Sequence, residues 1–267
     1  MADPIPNPSV SRSPRGIYLL PNLFTTGALF FGFFAIVSAM GKQFEAAAVA
    51  IFVAMVLDSL DGKIARLTHT QTAFGAEYDS LSDMVSFGVA PALIVYEWSL
   101  HNLGKFGWFV AFLYTATAAL RLARFNTQLG VADKRYFQGL PSPAAAAIVT
   151  GLVWVGVDHN LIGALPLFAA VTLTIIASLL MVSNIRYNSL KDPDLLRGKI
   201  PFVALLLMVL AFVMIAVQPP QMLFAGFLIY AISGPVLTLI HLRQRRILRR
   251  QTQPPNDVNH SSPNDFN

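Results

Sequence analysis

The sequence predicts an all-α fold, a polytopic membrane helical bundle of eight transmembrane helices with both termini in the cytoplasm. Three observations predict it. Of the 267 residues, 55% are hydrophobic and only 12% charged, where a soluble domain carries about 25% charged residues. Apolar stretches of spanning length recur along the chain. Lys and Arg then alternate between long and short supply in the connections.

The apolar stretches are Leu20–Met40, Phe44–Leu60, Ser86–Leu100, Phe106–Leu122, Ala144–Val157, Leu161–Val182, Pro201–Val217 and Met222–Leu242. The fifth is short, and without it the count falls to seven. The third is expected to begin earlier, near Ala76, as a polar extension carrying Asp79 and Asp83. Trp98, Trp108, Trp154 and Tyr96 fall near the outer ends, as interfacial anchors do.

With the N-terminus inside, the inner segments hold Arg12 and Arg15, then Lys63 and Arg66, then Arg121, Arg124, Lys134 and Arg135. They continue with Arg186, Lys191, Arg197 and Lys199, and end in Arg243–Arg250. Of the 19 Lys and Arg residues only Lys42 and Lys105 fall outside. That bias orients the chain. It also explains the net charge of +5 without a nucleic-acid partner. The basic run Arg243–Arg250 reads as a topology signal beside anionic lipid. With no cysteine in the chain, thiolate metal sites and disulfides are excluded.

The N-terminal residues 1–16 are Pro- and Ser-rich, lack the pattern of a cleavable signal, and are expected to be a disordered cytoplasmic segment. A six-helix core is assigned to residues 17–190 and two additional helices to residues 191–242. A basic, then disordered, cytoplasmic tail takes residues 243–267. Asp192 and Asp194 lie in a hydrophilic connection and need no catalytic role. The five histidines, His69 among them, show no metal-ligand spacing.

The chemistry concentrates between Asp58 and Asp83. Four aspartates at membrane depth cost roughly 2.5–3.5 kcal/mol each on insertion scales, so a chain that keeps them has a use for them. Asp58 and Asp61 are three apart, and Asp79 and Asp83 are four apart. Each pair therefore shares one face of its helix. Two helices presenting two carboxylates each can enclose one or two hard divalent cations. Oxygen ligands of this kind suit Mg²⁺ or Mn²⁺.

The full pattern is Asp58-x-x-Asp61-Gly62-x-x-Ala65-Arg66, eight residues, Gly75, three residues, Asp79, three residues, Asp83. It resembles the signature of the CDP-alcohol phosphotransferases at every fixed position. The segments Asp79–Ala92, Arg121-Leu-Ala-Arg124-Phe-Asn126 and Phe137–Ala144 are similar to the integral-membrane phosphatidylserine synthase branch. Pro21–Thr25 resembles the family's entry to its first helix. The resemblance covers Pro21 to about Tyr187, and the last two helices match the longer form of the branch.

The resemblance implies transfer of the phosphatidyl group of CDP-diacylglycerol to L-serine, by attack at the β-phosphorus with CMP leaving. It implies two divalent ions, one held by Asp58, Asp61 and Asp79, the other by Asp58, Asp79 and Asp83. Asp83 would also take the hydroxyl proton. Asn22, Thr25, Gly62, Arg66, Thr72 and Gly75 are the expected CDP-diacylglycerol contacts. Gly62 lets a nucleotide approach the helix backbone, or serves helix packing. Gly75 lets the chain turn into the third helix. Thr72 is a loop residue free to bond cytosine or phosphate, and Asn22 reads equally well as a helix N-cap. Arg121, Arg124 and Asn126 are the expected serine contacts, with at least one arginine on the carboxylate. A homodimer among membrane lipids follows by family analogy, in a bacterial inner membrane with the active site at the cytoplasmic face. The same chemistry with glycerol 3-phosphate, inositol phosphate or choline is the nearest alternative, and a cation-coupled transporter a remote one.

Overall fold

The computed structural model describes residues 19–68, 70, 72–128, 136–188 and 202–252. The N-terminal segment, His69, Lys134, Arg135, the connection holding Lys191, Asp192, Asp194, Arg197 and Lys199, and the tail beyond Thr252 lie outside the described residues. So do the side chains of Arg186 and of Arg245 to Arg250.

Helices make up nearly all of the described chain. They are α1 (Leu19–Met40), α2 (Phe44–Leu67), α3 (Ala73–Asp83), α4 (Ala90–Trp98), α5 (Lys105–Gln128), α6 (Ser142–Asp158), α7 (Ala164–Val182), α8 (Phe202–Val217) and α9 (Pro219–Thr252). A π-helical turn, Met84–Val89, joins α3 to α4 without a break. Counting α3 to α4 as one rod, each helix overlaps one predicted apolar stretch. Four are long and apolar enough to cross a membrane: α1 over Pro21–Met40, α5 over Lys105–Thr127, α7 over Ala164–Val182 and α9 over Pro219–Ile240. The chain is an all-α integral membrane protein. The third rod starts at Ala73, earlier than predicted, and α2 runs on to Leu67.

Small residues let the first two helices meet closely. Ala28, Ala35 and Ala39 of α1 are buried, as are Ala47, Ala50, Ile51 and Ala54 of α2. The turn between them places Lys42 at φ 59, closed by Gln43 N–H donating to the Ser38 carbonyl at 2.8 Å. Where α1 crosses the π turn, a Cβ on Gly32 would lie 2.3 Å from Ser86 Oγ, so only glycine fits. Ser86 Oγ instead donates to the Ala28 carbonyl at 3.0 Å. α6 is buried nearly all round and forms the centre of the bundle. On α8, by contrast, almost every described side chain is exposed, as a lipid-facing helix requires.

Two prolines are answered by two tyrosines. Pro91 has no N–H for the carbonyl four residues before it, that of Phe87. In an apolar interior that carbonyl needs a donor, and the Tyr114 hydroxyl of α5 supplies one at 3.1 Å. Pro235 within α9 likewise frees the Ala231 carbonyl, and the Tyr187 hydroxyl donates to it at 3.0 Å.

A feature absent from the sequence reading is a two-stranded antiparallel ribbon, β1 (Tyr136–Gln138) on β2 (Arg186–Asn188), with Phe137 opposite Tyr187. Gly139 leaves the ribbon at φ 77, and a Cβ there would lie 2.3 Å from the Met181 carbonyl oxygen. The ribbon fixes where α6 begins and brings Tyr187 against α9.

Candidate functional site

The four aspartates come from the two polar helix ends that follow α2's apolar stretch and precede that of the third rod. Carboxylate oxygens of Asp58, Asp61 and Asp79 all lie within 4.8 Å of one another. Asp83, one helical turn beyond Asp79, is close enough to both Asp58 and Asp79 for their charges to act on its carboxyl. Asp61 is buried, at 5% exposure, while Asp58, Asp79 and Asp83 are half-buried.

Thr25 of α1 donates to Asp61 Oδ2 at 2.7 Å, its hydroxyl also lying 3.2 Å from the Pro21 carbonyl oxygen. Asp79 Oδ1 is buried without a hydrogen-bond partner. Burial pushes the Asp61 carboxyl up to about 6; the Thr25 bond opposes this and the Asp58 charge adds to it. Burial also pushes Asp79 up to about 7, with the charges of Asp58 and Asp61 behind it. Crowded, under-satisfied carboxylates are stabilised in their ionised form by a cation. An orphaned buried oxygen beside two more carboxylates therefore fits a divalent metal.

Around this cluster α1 and α3 are tied together. Ser82 Oγ donates to the Thr25 carbonyl at 3.1 Å. Thr72 is the N-cap of α3, its hydroxyl accepting from Gly75 N–H at 3.0 Å, so it is engaged rather than a free loop residue. Gly75 lies inside the first turn of α3 and makes no turn of its own. A Cβ there would meet Thr72 Oγ1 at 3.1 Å and Asn22 Oδ1 at 3.5 Å, so glycine leaves room for the cap and for Asn22. Asn22 sits within α1, which removes the N-cap reading. Gly62 is exposed, with Arg66 Nη2 the nearest neighbour of a Cβ at 3.9 Å, so it faces open space rather than a packed helix. Arg66 is exposed beside it.

Sequence reasoning passed over Thr26, Phe74 and Tyr78 here. Thr26 Oγ1 and the Tyr78 hydroxyl are 2.9 Å apart, and Phe74 stacks on Tyr78 at 6.0 Å between centroids. The signal available was the i, i+4 aromatic pair beside Asp79.

Arg121, Arg124 and Asn126 are separated by their partners. Asn126 Nδ2 donates to Ser80 Oγ at 3.0 Å and clamps α5 to α3. Arg124 donates to the Val182 carbonyl at 3.3 Å and to Asn184 Oδ1, fastening α5 to the end of α7. Arg121 lies within electrostatic reach of Asp83. Its Nη1 donates to Ser142 Oγ at 2.8 Å, while its Nε is buried without a partner. A groove of about 660 Å³ between Phe31, Phe34, Lys42, Phe44 and Val53 lies at the opposite ends of α1 and α2, away from this chemistry.

Residues 18–157, which carry all four aspartates and Arg121, match the family model described as CDP-alcohol phosphatidyltransferase. The chain belongs to the CDP-alcohol phosphatidyltransferase family. It is 37% identical over 217 residues to the CDP-diacylglycerol–serine O-phosphatidyltransferase of Helicobacter pylori strain 26695, covering 81% of this chain and 90% of that protein. Its identity to the protein of the same name from Methanocaldococcus jannaschii is 41% over 137 residues, 51% of this chain and 61% of that one. The archaetidylserine synthase of Methanothermobacter thermautotrophicus is 34% identical over 170 residues, 63% and 69% of the two chains. The family's matched segment ends at Val157, so the ribbon strand β2 and α7 to α9 lie beyond it.

Proposed function

We propose that this chain transfers the phosphatidyl group of CDP-diacylglycerol to the hydroxyl of L-serine, giving phosphatidylserine and CMP. The observation that carries this reading is the convergence of Asp58, Asp61 and Asp79, with Asp83 one helical turn beyond Asp79 and within electrostatic reach of Arg121. Relatives that act on serine by name support the acceptor.

Asp58, Asp61 and Asp79 would hold one divalent ion, and Asp58, Asp79 and Asp83 a second, Mg²⁺ or Mn²⁺. When bound, such ions neutralise the pyrophosphate and the charge that develops on the leaving CMP. Asn22, Thr25, Gly62, Arg66, Thr72 and Gly75 surround the nucleotide end of the lipid. Thr25 acts through its bond to Asp61, Thr72 and Gly75 by shaping the start of α3, and Arg66 by offering a guanidinium to phosphate. Asp83 accepts the proton as the serine oxygen bonds to the β-phosphorus and the bond from that phosphorus to the CMP oxygen breaks. Arg121 pairs with the serine carboxylate. Arg124 and Asn126 hold α5 in place rather than touching serine.

Eight helices cross the membrane with both termini in the cytoplasm, a reading supported by the sequence bias that leaves only Lys42 and Lys105 of the 19 Lys and Arg residues on the outer side. Residues 17–190 form the catalytic core and residues 191–242 add two helices, with cytoplasmic segments at either end. The enzyme works at the cytoplasmic face of a bacterial inner membrane, as a homodimer by family analogy. The test is purified protein with CDP-diacylglycerol and labelled L-serine. Phosphatidylserine and CMP should form in equal amounts, chelator should stop the reaction, and Mg²⁺ or Mn²⁺ should restore it.

A further inference from the structure

Ser142 opens α6, and after Pro143 the helix continues in alanine, from Ala144 to Ala147. A hydroxyl is not needed for packing here, and burying one without a partner costs free energy. Ser142 is nevertheless fully buried. The commonest use of serine at a helix start is as N-cap, yet that position is taken by Pro141. The Ser142 hydroxyl is instead engaged by Arg121, whose Nη1 donates to Oγ at 2.8 Å. The backbone leading into Ser142 is pinned as well. Gly139 N–H donates to the Ile185 carbonyl and Leu140 N–H to the Leu180 carbonyl, each at 2.9 Å.

Hydrogen bonds between helices also set the height of Arg121. Asn126 Nδ2 donates to Ser80 Oγ at 3.0 Å, and the Tyr114 hydroxyl donates to the Phe87 carbonyl at 3.1 Å. These two ties run α5 antiparallel to the rod of α3 and the π turn. Between them, Asp83 lies less than one helical turn past Ser80, and Arg121 about one and a half turns before Asn126. The register therefore sets Arg121 and Asp83 at neighbouring levels. With Nη1 held by Ser142, the guanidinium keeps the edge made by Nε and Nη2 for a planar anion, which that edge takes through two parallel bonds. Nε is buried and has no partner among the described residues.

We propose that Ser142 is a positioning residue: its hydroxyl anchors Nη1 of Arg121 so that the Nε edge is presented to the carboxylate of the acceptor. The anchored guanidinium is ordered before the acceptor arrives, which lowers the cost of binding it. This rests on the reading of serine as acceptor with Arg121 on its carboxylate.

The test is Ser142→Ala, which extends the alanine run of α6, assayed as full-length protein with CDP-diacylglycerol and either L-serine or L-serinamide. Loss of a hydrogen bond to a charged group predicts a serine KM raised by about tenfold. The KM for CDP-diacylglycerol should hold, and the preference for serine over serinamide should shrink by the same factor. Combined with Arg121→Lys, Ser142→Ala should raise the serine KM by less than the product of the two single effects, because one acts through the other. A structural role alone would weaken both acceptors alike, and that result would overturn the proposal, as would loss of turnover with both or fully multiplicative effects in the double variant. A parent enzyme that prefers serine and a Ser142→Ala variant that keeps its serine KM would remove Ser142 and leave the serine reading intact. A parent that uses serine and serinamide equally would remove both.

Discussion

Replacing Thr25 by Val tests whether the aspartates act as metal ligands. Val keeps the shape of Thr25 and deletes the one hydroxyl that donates to Asp61, at 2.7 Å. Both residues are buried, at 4% and 5% exposure, so water cannot take over the bond. A hydrogen bond to a charged group contributes about 1.5–3 kcal/mol. Lost from a ligating carboxylate, it should cost about 10- to 100-fold in metal affinity. The assay is CMP release against Mg²⁺ concentration at fixed substrate. Half-saturation should move up by that factor while the rate at saturating metal changes less. The pH dependence follows with a defined sign. Asp61 already titrates near 6 because it is buried, and Thr25 holds it from rising further. Without that bond the protonated form persists to higher pH, and protons compete with metal. At limiting Mg²⁺ the acid fall-off in activity should therefore begin at higher pH in Thr25→Val, while Thr25→Ser, which retains the hydroxyl, should stay near the parent. An unchanged metal half-saturation in Thr25→Val would refute the reasoning.

Asp83→Asn should abolish turnover yet leave CDP-diacylglycerol binding largely intact, whereas Asp61→Asn should weaken both. Equal losses of lipid binding in the two variants would argue against a separate proton-accepting role for Asp83. Arg121→Lys exchanges a planar fork for a point charge, so the serine KM should rise about tenfold with little change for CDP-diacylglycerol; the same change at Arg124 should act on stability instead. Gly139→Ala puts a side chain at φ 77 and 2.3 Å from the Met181 carbonyl oxygen. The backbone strain alone should cost about 1–3 kcal/mol, read as a lower Tm in detergent, and an unshifted Tm would contradict the tight ribbon exit.

The helices were legible because apolar length is a local property. Every predicted stretch finds its helix, from Leu19–Met40 to Pro219–Thr252. The carboxylate convergence was legible too, since the i, i+3 and i, i+4 spacings fix one face on each helix. Partners across the bundle were not. Nothing near Asn126 in the chain says that its amide meets Ser80, 46 residues away. Nor does the sequence around Arg124 announce the Val182 carbonyl. Arg121 and Arg124 share a helical face by spacing, yet Arg124 is spent on Val182 and Asn184 while Arg121 lies within electrostatic reach of Asp83. The ribbon escaped because three residues per strand carry no periodic signal. The N-cap role of Thr72 was not legible because an N-cap is defined by the helix it starts, and α3 starts three residues earlier than its polarity suggested. The tyrosines that answer Pro91 and Pro235 pair with them only through tertiary contact.

The most direct test is a parallel acceptor assay. Purified protein in Mg²⁺ is given CDP-diacylglycerol with labelled L-serine, glycerol 3-phosphate, inositol phosphate or choline, each with and without chelator. Serine alone should yield a labelled phospholipid, with one CMP released per lipid formed and no product in chelator. Labelled lipid from glycerol 3-phosphate in preference to serine would reassign Arg121 to a phosphate, and product formation that survives chelation would contradict the metal role of the aspartates.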